Sequence, residues 1–213
     1  MKEFRKISVI GLGLIASSIC LTLRQKDPTI KLLGYDKDKV VRNRAKKIGL
    51  CKVESNLENV VSGSQLIVLC VPVGQMQAVT RRLKKIIEPG TTITDVGSVK
   101  LSVIEEIESN IESVGGKYVP SHPIAGTERS GPDAGYAGLF EGRWCILTPT
   151  KKTNKKALNS LETFWKFLGM QTKIMTPEHH DLVLAVTSHA PHLIAYTMVC
   201  LLYTSPSPRD RLK

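Results

Sequence analysis

Gly11-Leu12-Gly13-Leu14-Ile15-Ala16 joins a β-branched run, Lys6 to Ile10, to a helical stretch that reaches about Gln25. A G-x-G-x-x-G/A turn in that setting commits the chain to a strand feeding directly into a helix. Gly11 permits the tight turn. Gly13 lets the backbone approach a pyrophosphate with no Cβ in the way, and Ala16 keeps strand and helix close. The free N–H groups at the helix start, Leu14 and Ile15 among them, then meet the anion at the positive end of the helix dipole. A second strand, Lys31 to Gly34, ends at Tyr35-Asp36, about twenty residues past the turn. A carboxylate there accepts hydrogen bonds from ribose hydroxyls and repels a 2′-phosphate. NAD is therefore expected rather than NADP, with Lys37 and Lys39 as the nearby residues that weaken the preference.

The alternation continues. Leu66 to Val71 is an unbroken apolar run, as a strand covered on both faces should be, and it ends at Pro72. A basic amphipathic helix, Gln75 to Ile87, precedes a strand, Thr91 to Val96, that closes at Gly97-Ser98. The helix from Val99 to Ser113 places Leu101, Ile104, Ile107 and Ile111 on one face. Lys117 to Pro120, Trp144 to Leu147 and Thr172 to Met175 read as further strands of the same sheet. Thr153 is expected to cap a helix that buries Leu158, Leu161, Trp165 and Leu168 and stops at Gly169. The predicted fold is α/β: a Rossmann-type doubly wound parallel sheet over residues 1–175, with helices on both faces. From 176 to 199 two apolar helices begin an all-helical domain, of the kind that needs a partner surface.

The chain has 213 residues, 42% hydrophobic and 23% charged, an ordinary globular balance. No single apolar run is expected to span a bilayer, and the N-terminus lacks a signal-peptide core, so a cytoplasmic setting is expected. The five cysteines show no C-x-x-C spacing and read as reduced thiols, mostly in apolar runs. The net charge of +11 gathers in short clusters such as Arg42, Arg44, Lys46 and Lys47. These read as solvated helix faces, with few aromatics to support nucleic-acid binding. Steering of an anionic substrate is the sharper alternative.

Ser121-His122-Pro123-Ile124-Ala125-Gly126-Thr127-Glu128-Arg129-Ser130-Gly131 concentrates proton-moving and anion-binding side chains. Pro123, Gly126 and Gly131 predict a shaped loop beyond a strand's carboxyl end, where open parallel sheets bind ligands. His122 is either a base or a loop residue making one structural hydrogen bond. Ser98 either joins it or caps the following helix. Glu128 and Arg129 either pair with each other or face solvent. His189 and His192 with His179 or His180 lack cysteines at finger-like spacing, so no metal is expected.

The chain resembles the prephenate/arogenate dehydrogenase family. The resemblance rests on Gly11 to Ile15, Thr94-Asp95-Val96-Gly97-Ser98-Val99-Lys100, Ser121 to Glu128, Leu147-Thr148-Pro149 and Ser188-His189-Ala190-Pro191-His192. It implies NAD-dependent oxidative decarboxylation of prephenate to 4-hydroxyphenylpyruvate, in a homodimer, with no nucleic acid or membrane partner. It implies His122 as the base and Ser98 as the residue orienting hydroxyl, histidine and nicotinamide. His192, with Ser188 and His189, would bind substrate from the helical domain; Thr127 and Glu128 would stand at the pocket mouth. Val71 and Pro72 would flank the cofactor ribose, and Gly97 would close the strand beside it. Family members also carry an arginine, beyond the Ser-His-x-Pro-His segment, that pairs with a substrate carboxylate. No counterpart is assigned here, because residues 200–213 resemble translated sequencing-adapter read-through. The helical domain is expected to be cut short and the tail to be foreign.

Three other readings remain at this level. Arogenate dehydrogenase differs by an amine in place of the side-chain keto group. Hydroxy-acid dehydrogenases of the same class place a catalytic lysine on a helix, which is not matched after the His122 stretch. A dinucleotide-sensing module has no need of a base beside the nicotinamide.

Overall fold

The computed structural model describes residues 3–204. Strands and helices alternate as β1 (Lys6–Ile10), α1 (Leu14–Lys26), β2 (Lys31–Tyr35), α2 (Lys39–Lys47), β3 (Lys52–Val53), α3 (Leu57–Val61), β4 (Leu66–Leu69), α4 (Met76–Leu83), β5 (Thr92–Asp95), α5 (Leu101–Glu112) and β6 (Lys117–Tyr118). The six strands pair in parallel in the order β3-β2-β1-β4-β5-β6. The order reverses between β1 and β4, which opens a crevice beyond their carboxyl ends.

Both faces of this sheet are covered, which explains the unbroken apolar run in β4. Leu66 and Val68 join Ile7, Val9, Ile19 and Trp165 in one core layer. Ile67 and Leu69 point the other way, joining Ile10, Ile93 and Ile107. Successive side chains alternate across a strand, so no position is free to be polar without a partner. Ser8, buried in β1, obeys this rule by bonding the Val60 carbonyl at 2.6 Å and the Ser64 hydroxyl at 2.7 Å.

The chain then departs from the predicted single sheet. Pro120 has no N–H to donate, and the ladder ends with Val119 bonded to the Ile93 carbonyl at 2.9 Å. Past Pro120 the chain builds a second, mixed sheet of β7 (Ser121–Pro123), β8 (Trp144–Leu147) and β9 (Gln171–Ile174). β7 and β8 are antiparallel, while β8 and β9 are parallel. The start of the expected loop is thus a strand, and His122 stands on it opposite Ile146. The loop proper begins after Pro123.

Between β8 and β9 lies α6 (Lys155–Leu168), capped by Asn154 rather than Thr153: Asn154 Oδ1 accepts from Ala157 N at 3.0 Å. The Thr153 hydroxyl is engaged in the preceding turn, accepting from Thr150 N at 2.9 Å. Gly169, with φ at +107°, ends the helix in the left-handed conformation. Among the described residues the cysteines form no disulfide; Cys20 and Cys145 are buried, and Cys200 is exposed.

α7 (Pro177–Leu184) and α8 (Ala190–Thr204) are joined by a π turn, Ala185–His189, into one helical column rather than two helices. Pro191 cannot donate a backbone hydrogen bond, and the wider π turn just before it absorbs the defect. The polar Ser188, His189 and His192 therefore break the apolar pattern without breaking the helix. The 27-residue column from Pro177 to Tyr203 is long and apolar enough, by length and composition, to cross a bilayer, contrary to the expectation from separate runs. Leu193, Ile194, Tyr196, Met198, Leu201 and Leu202 along it are exposed. α8 runs through Cys200 to Thr204; the rest of the tail expected to be foreign lies outside the described residues.

Candidate active site

At the β1–β4 crevice a cavity of about 490 Å³ is lined by Gly11, Gly13, Asp36, Val71 and Pro72, together with Tyr35, Lys37, Gln75 and Arg82. Gly11 sits at φ +90°, and a Cβ there would lie 2.7 Å from the Cys70 carbonyl oxygen. Gly13 is different: nothing lies within 4 Å of where its Cβ would be, so the surface is open toward the cavity. No side chain caps α1, whose first intrahelical bond runs from Ser17 N to Gly13 O at 3.0 Å. The N–H groups of Leu14, Ile15 and Ala16 are therefore available to an anion. Their side chains do not line the cavity: Ala16 is fully buried and Leu14 and Ile15 are half-buried.

Asp36 is held at the far side. Its carboxylate accepts from Leu12 N at 2.8 Å and Asp38 N at 2.9 Å. A carboxylate can take about four hydrogen bonds, so acceptor capacity remains for a ribose diol. Arg82 stacks over the Tyr35 ring at 5.6 Å on the same wall. An open helix start, a glycine without steric neighbours and a positioned carboxylate fit a dinucleotide.

A second cavity, about 650 Å³, lies where β7 meets the helical column. Ser98, His122, Thr127, Glu128, Ser188, His189 and His192 all line it, joined by Arg143 and Tyr196. Residues from the three stretches singled out in the sequence thus line one cavity, and Arg143 adds a fourth. Gly97, like Leu14, Ile15 and Ala16, lines neither cavity: it is buried, and its N–H donates to Asp95 Oδ2 at 2.9 Å.

His122 is fixed by a relay. Its Nδ1 lies 2.9 Å from His180 Nε2, and His180 Nδ1 lies 2.8 Å from Asp181 Oδ1. The carboxylate can only accept, so neutral His180 donates from Nδ1 and accepts at Nε2. His122 must then donate from Nδ1, which leaves its Nε2 lone pair as the free basic site. Burial pushes the His122 pKa down to about 3, helped by the charge of Lys100 and opposed by Asp181. Burial lowers His180 as well. Both rings are neutral at physiological pH, the state that this donor order requires.

Beneath the relay lies a buried ion pair. Lys100 and Asp95 are fully buried and bonded to each other, and Lys100 Nζ also donates to the Ser121 carbonyl at 2.9 Å. Tyr118 donates to Asp95 Oδ1 at 2.7 Å. A buried pair is tolerable when further hydrogen bonds support both charges, and here the Ser121 carbonyl serves Lys100 while Gly97 N and Tyr118 serve Asp95. The network locks the Gly97-Ser98 turn to the strand that carries His122. Ser98 does not cap α5. Asp181 does, accepting from Lys100 N at 2.7 Å and Leu101 N at 3.0 Å. Ser98 is left exposed, facing the cavity. Glu128 and Arg129 are both exposed and, among the described residues, form no ion pair with each other. His192 Nδ1 donates to the Ser188 carbonyl at 2.7 Å, which leaves its Nε2 free. Among the described residues no group of His, Cys, Asp or Glu is arranged to hold a metal.

A family model of the prephenate dehydrogenase nucleotide-binding domain matches residues 19–174, and one of the corresponding dimerization domain matches residues 176–211. The chain belongs to the prephenate/arogenate dehydrogenase family. Its relatives include a cyclohexadienyl dehydrogenase from Zymomonas mobilis, 40% identical over 93% of this chain and 68% of that one. A prephenate dehydrogenase from Bacillus subtilis is 34% identical over 91% of this chain and 52% of its own length. The crystal structure of prephenate dehydrogenase from A. aeolicus, in complex with hydroxyphenyl propionate and NAD+, superposes with a TM-score of 0.88 at 32% identity, covering 96% of this chain and 71% of that one. The chain thus spans between about half and about seven-tenths of these dehydrogenases. The exposed apolar column is the part that matches the family's dimerization domain.

His180 and Asp181, at the start of the helical column, orient the His122 ring, a task that nothing in their local sequence marks. Lys100 stood within a quoted motif without a role, and Arg143 went unnoticed. A lysine that keeps company with strand residues, rather than with a polar helix face, is the signal that could have marked Lys100 as buried.

Proposed function

We propose that this chain is the NAD-dependent dehydrogenase portion of an enzyme that oxidatively decarboxylates prephenate to 4-hydroxyphenylpyruvate. One observation supports this most: the His122–His180–Asp181 relay presents a neutral, unprotonated Nε2 in the cavity that Ser98 also lines. NAD, when bound, supplies the acceptor for the hydride that leaves the ring carbinol carbon. His122 Nε2 takes the proton from the hydroxyl on that carbon. Ser98, exposed on the same wall, is placed to hydrogen-bond the hydroxyl and fix its direction. The ring carboxylate departs as carbon dioxide, and the electron pair of the broken C–C bond makes the ring aromatic. The proton returns from His122 to the ring oxygen, so the enzyme ends as it began. Ser188, His189 and His192 close the cavity from the helical column, which the π turn aims inward. The enzyme acts as a homodimer through the apolar column.

The test is NAD reduction by the purified chain with prephenate, with 4-hydroxyphenylpyruvate and carbon dioxide identified as products. Reduction with arogenate alone would assign the amine-bearing substrate instead. No reduction with either, in a chain that binds NAD and is joined to a complete helical domain, would refute the reading.

A further inference from the structure

We propose that Arg143 is the cation that receives a substrate carboxylate from the sheet side of the cavity, an inference that rests on the function proposed above. A substrate with two carboxylates brings two negative charges to a cavity in which His122 is neutral. Arg143 is the one permanent cation among the residues lining that cavity. Its side chain is exposed, and no protein group among the described residues pairs with it. Glu128, the one carboxylate in the same lining, does not claim it.

Its backbone, by contrast, is fixed. Arg143 N donates to the Phe140 carbonyl at 3.2 Å, and its own carbonyl accepts from Gln171 N at 2.8 Å. It directly precedes β8, and β8 pairs with β7 so that Ile146 faces His122. Arg143 stands three residues from Ile146, roughly 10 Å along the strand direction, and lines the same cavity as His122. That spacing suits a six-membered ring whose hydroxyl meets the base while a three-carbon acid chain extends away from it. A rigid origin with a free guanidinium at its end is what bidentate carboxylate recognition needs.

Isothermal titration of NAD-saturated protein with 3-(4-hydroxyphenyl)propionate, and with its neutral amide, tests the assignment. Arg143→Gln is expected to weaken the acid by roughly 10- to 100-fold, the worth of a charge-assisted pair, and to leave the amide unchanged. Arg143→Lys should recover part of the loss. Unaltered acid binding in Arg143→Gln overturns the assignment, and so does an equal loss for acid and amide, which would mean that the variant deforms the cavity. If the unmodified, NAD-saturated protein binds neither compound, the proposed function fails and this inference falls with it.

Discussion

His122 Nδ1 lies 2.9 Å from His180 Nε2, and this contact decides which nitrogen of His122 is basic. Asp181 sets the direction of the donor order, because a carboxylate cannot donate. The same carboxylate caps α5 through Lys100 N and Leu101 N. Orientation of the base and attachment of the helical column to the sheet domain are thereby one structural feature.

Asp181→Ala should therefore show two effects together. Loss of the cap should lower unfolding free energy by about 1–2 kcal/mol, measured in urea. Freed from its partner, His180 can present Nε2–H to His122 and reverse the relay. The turnover number should fall more than the Michaelis constant rises. A stability loss with unchanged turnover would show that the relay does not orient the base.

Burial of neutral His122 makes stability depend on pH. An unfolded histidine titrates near 6.5, whereas His122 in the fold is held down at about 3. The unfolded chain thus binds more protons throughout that window. Stability is full above about pH 6.5 and declines as pH falls toward 3, by at most about 1.4 kcal/mol per unit from this group. Urea titrations at pH 7 and pH 5 should show the loss, and His122→Asn should show less of it. For the same reason the acid limb that His122 imposes on turnover lies well below pH 6.5, not near it.

The two glycines of the first turn should respond differently to alanine. Gly11→Ala forces a Cβ against the Cys70 carbonyl at positive φ and should destabilise the fold by about 1–3 kcal/mol. Gly13→Ala meets no protein atom and should leave the thermal midpoint unchanged while weakening NAD binding. Calorimetric melting and NAD titration on both variants separate the two roles. If Gly13→Ala binds NAD as the parent does, the pyrophosphate does not pass there.

The first turn and its acid were legible because their meaning is local. Gly11, Gly13 and Asp36 act through backbone geometry within one β-α-β unit, and the alternation marks five of the six parallel strands; β3, two residues long, carries too little pattern to stand out. The second sheet was not legible, since Trp144 to Leu147 has the same apolar pattern whether it joins a parallel or an antiparallel neighbour. Pro120, which ends the first sheet, was read as part of a strand. The cap on α5 was left open at Ser98 because the residue that supplies the acceptor oxygens, Asp181, is about 80 residues away in sequence. Arg143 was invisible for a related reason: only the pairing of β7 with β8 brings it to His122.

The most direct measurement is the turnover number of His122→Asn beside that of the parent, with prephenate and NAD, in protein carrying a complete helical domain. Asparagine keeps a hydrogen-bonding side chain of similar reach but cannot take the proton. The account predicts a fall of roughly 10²- to 10⁴-fold, with NAD affinity unchanged. Turnover equal to that of the parent would contradict it.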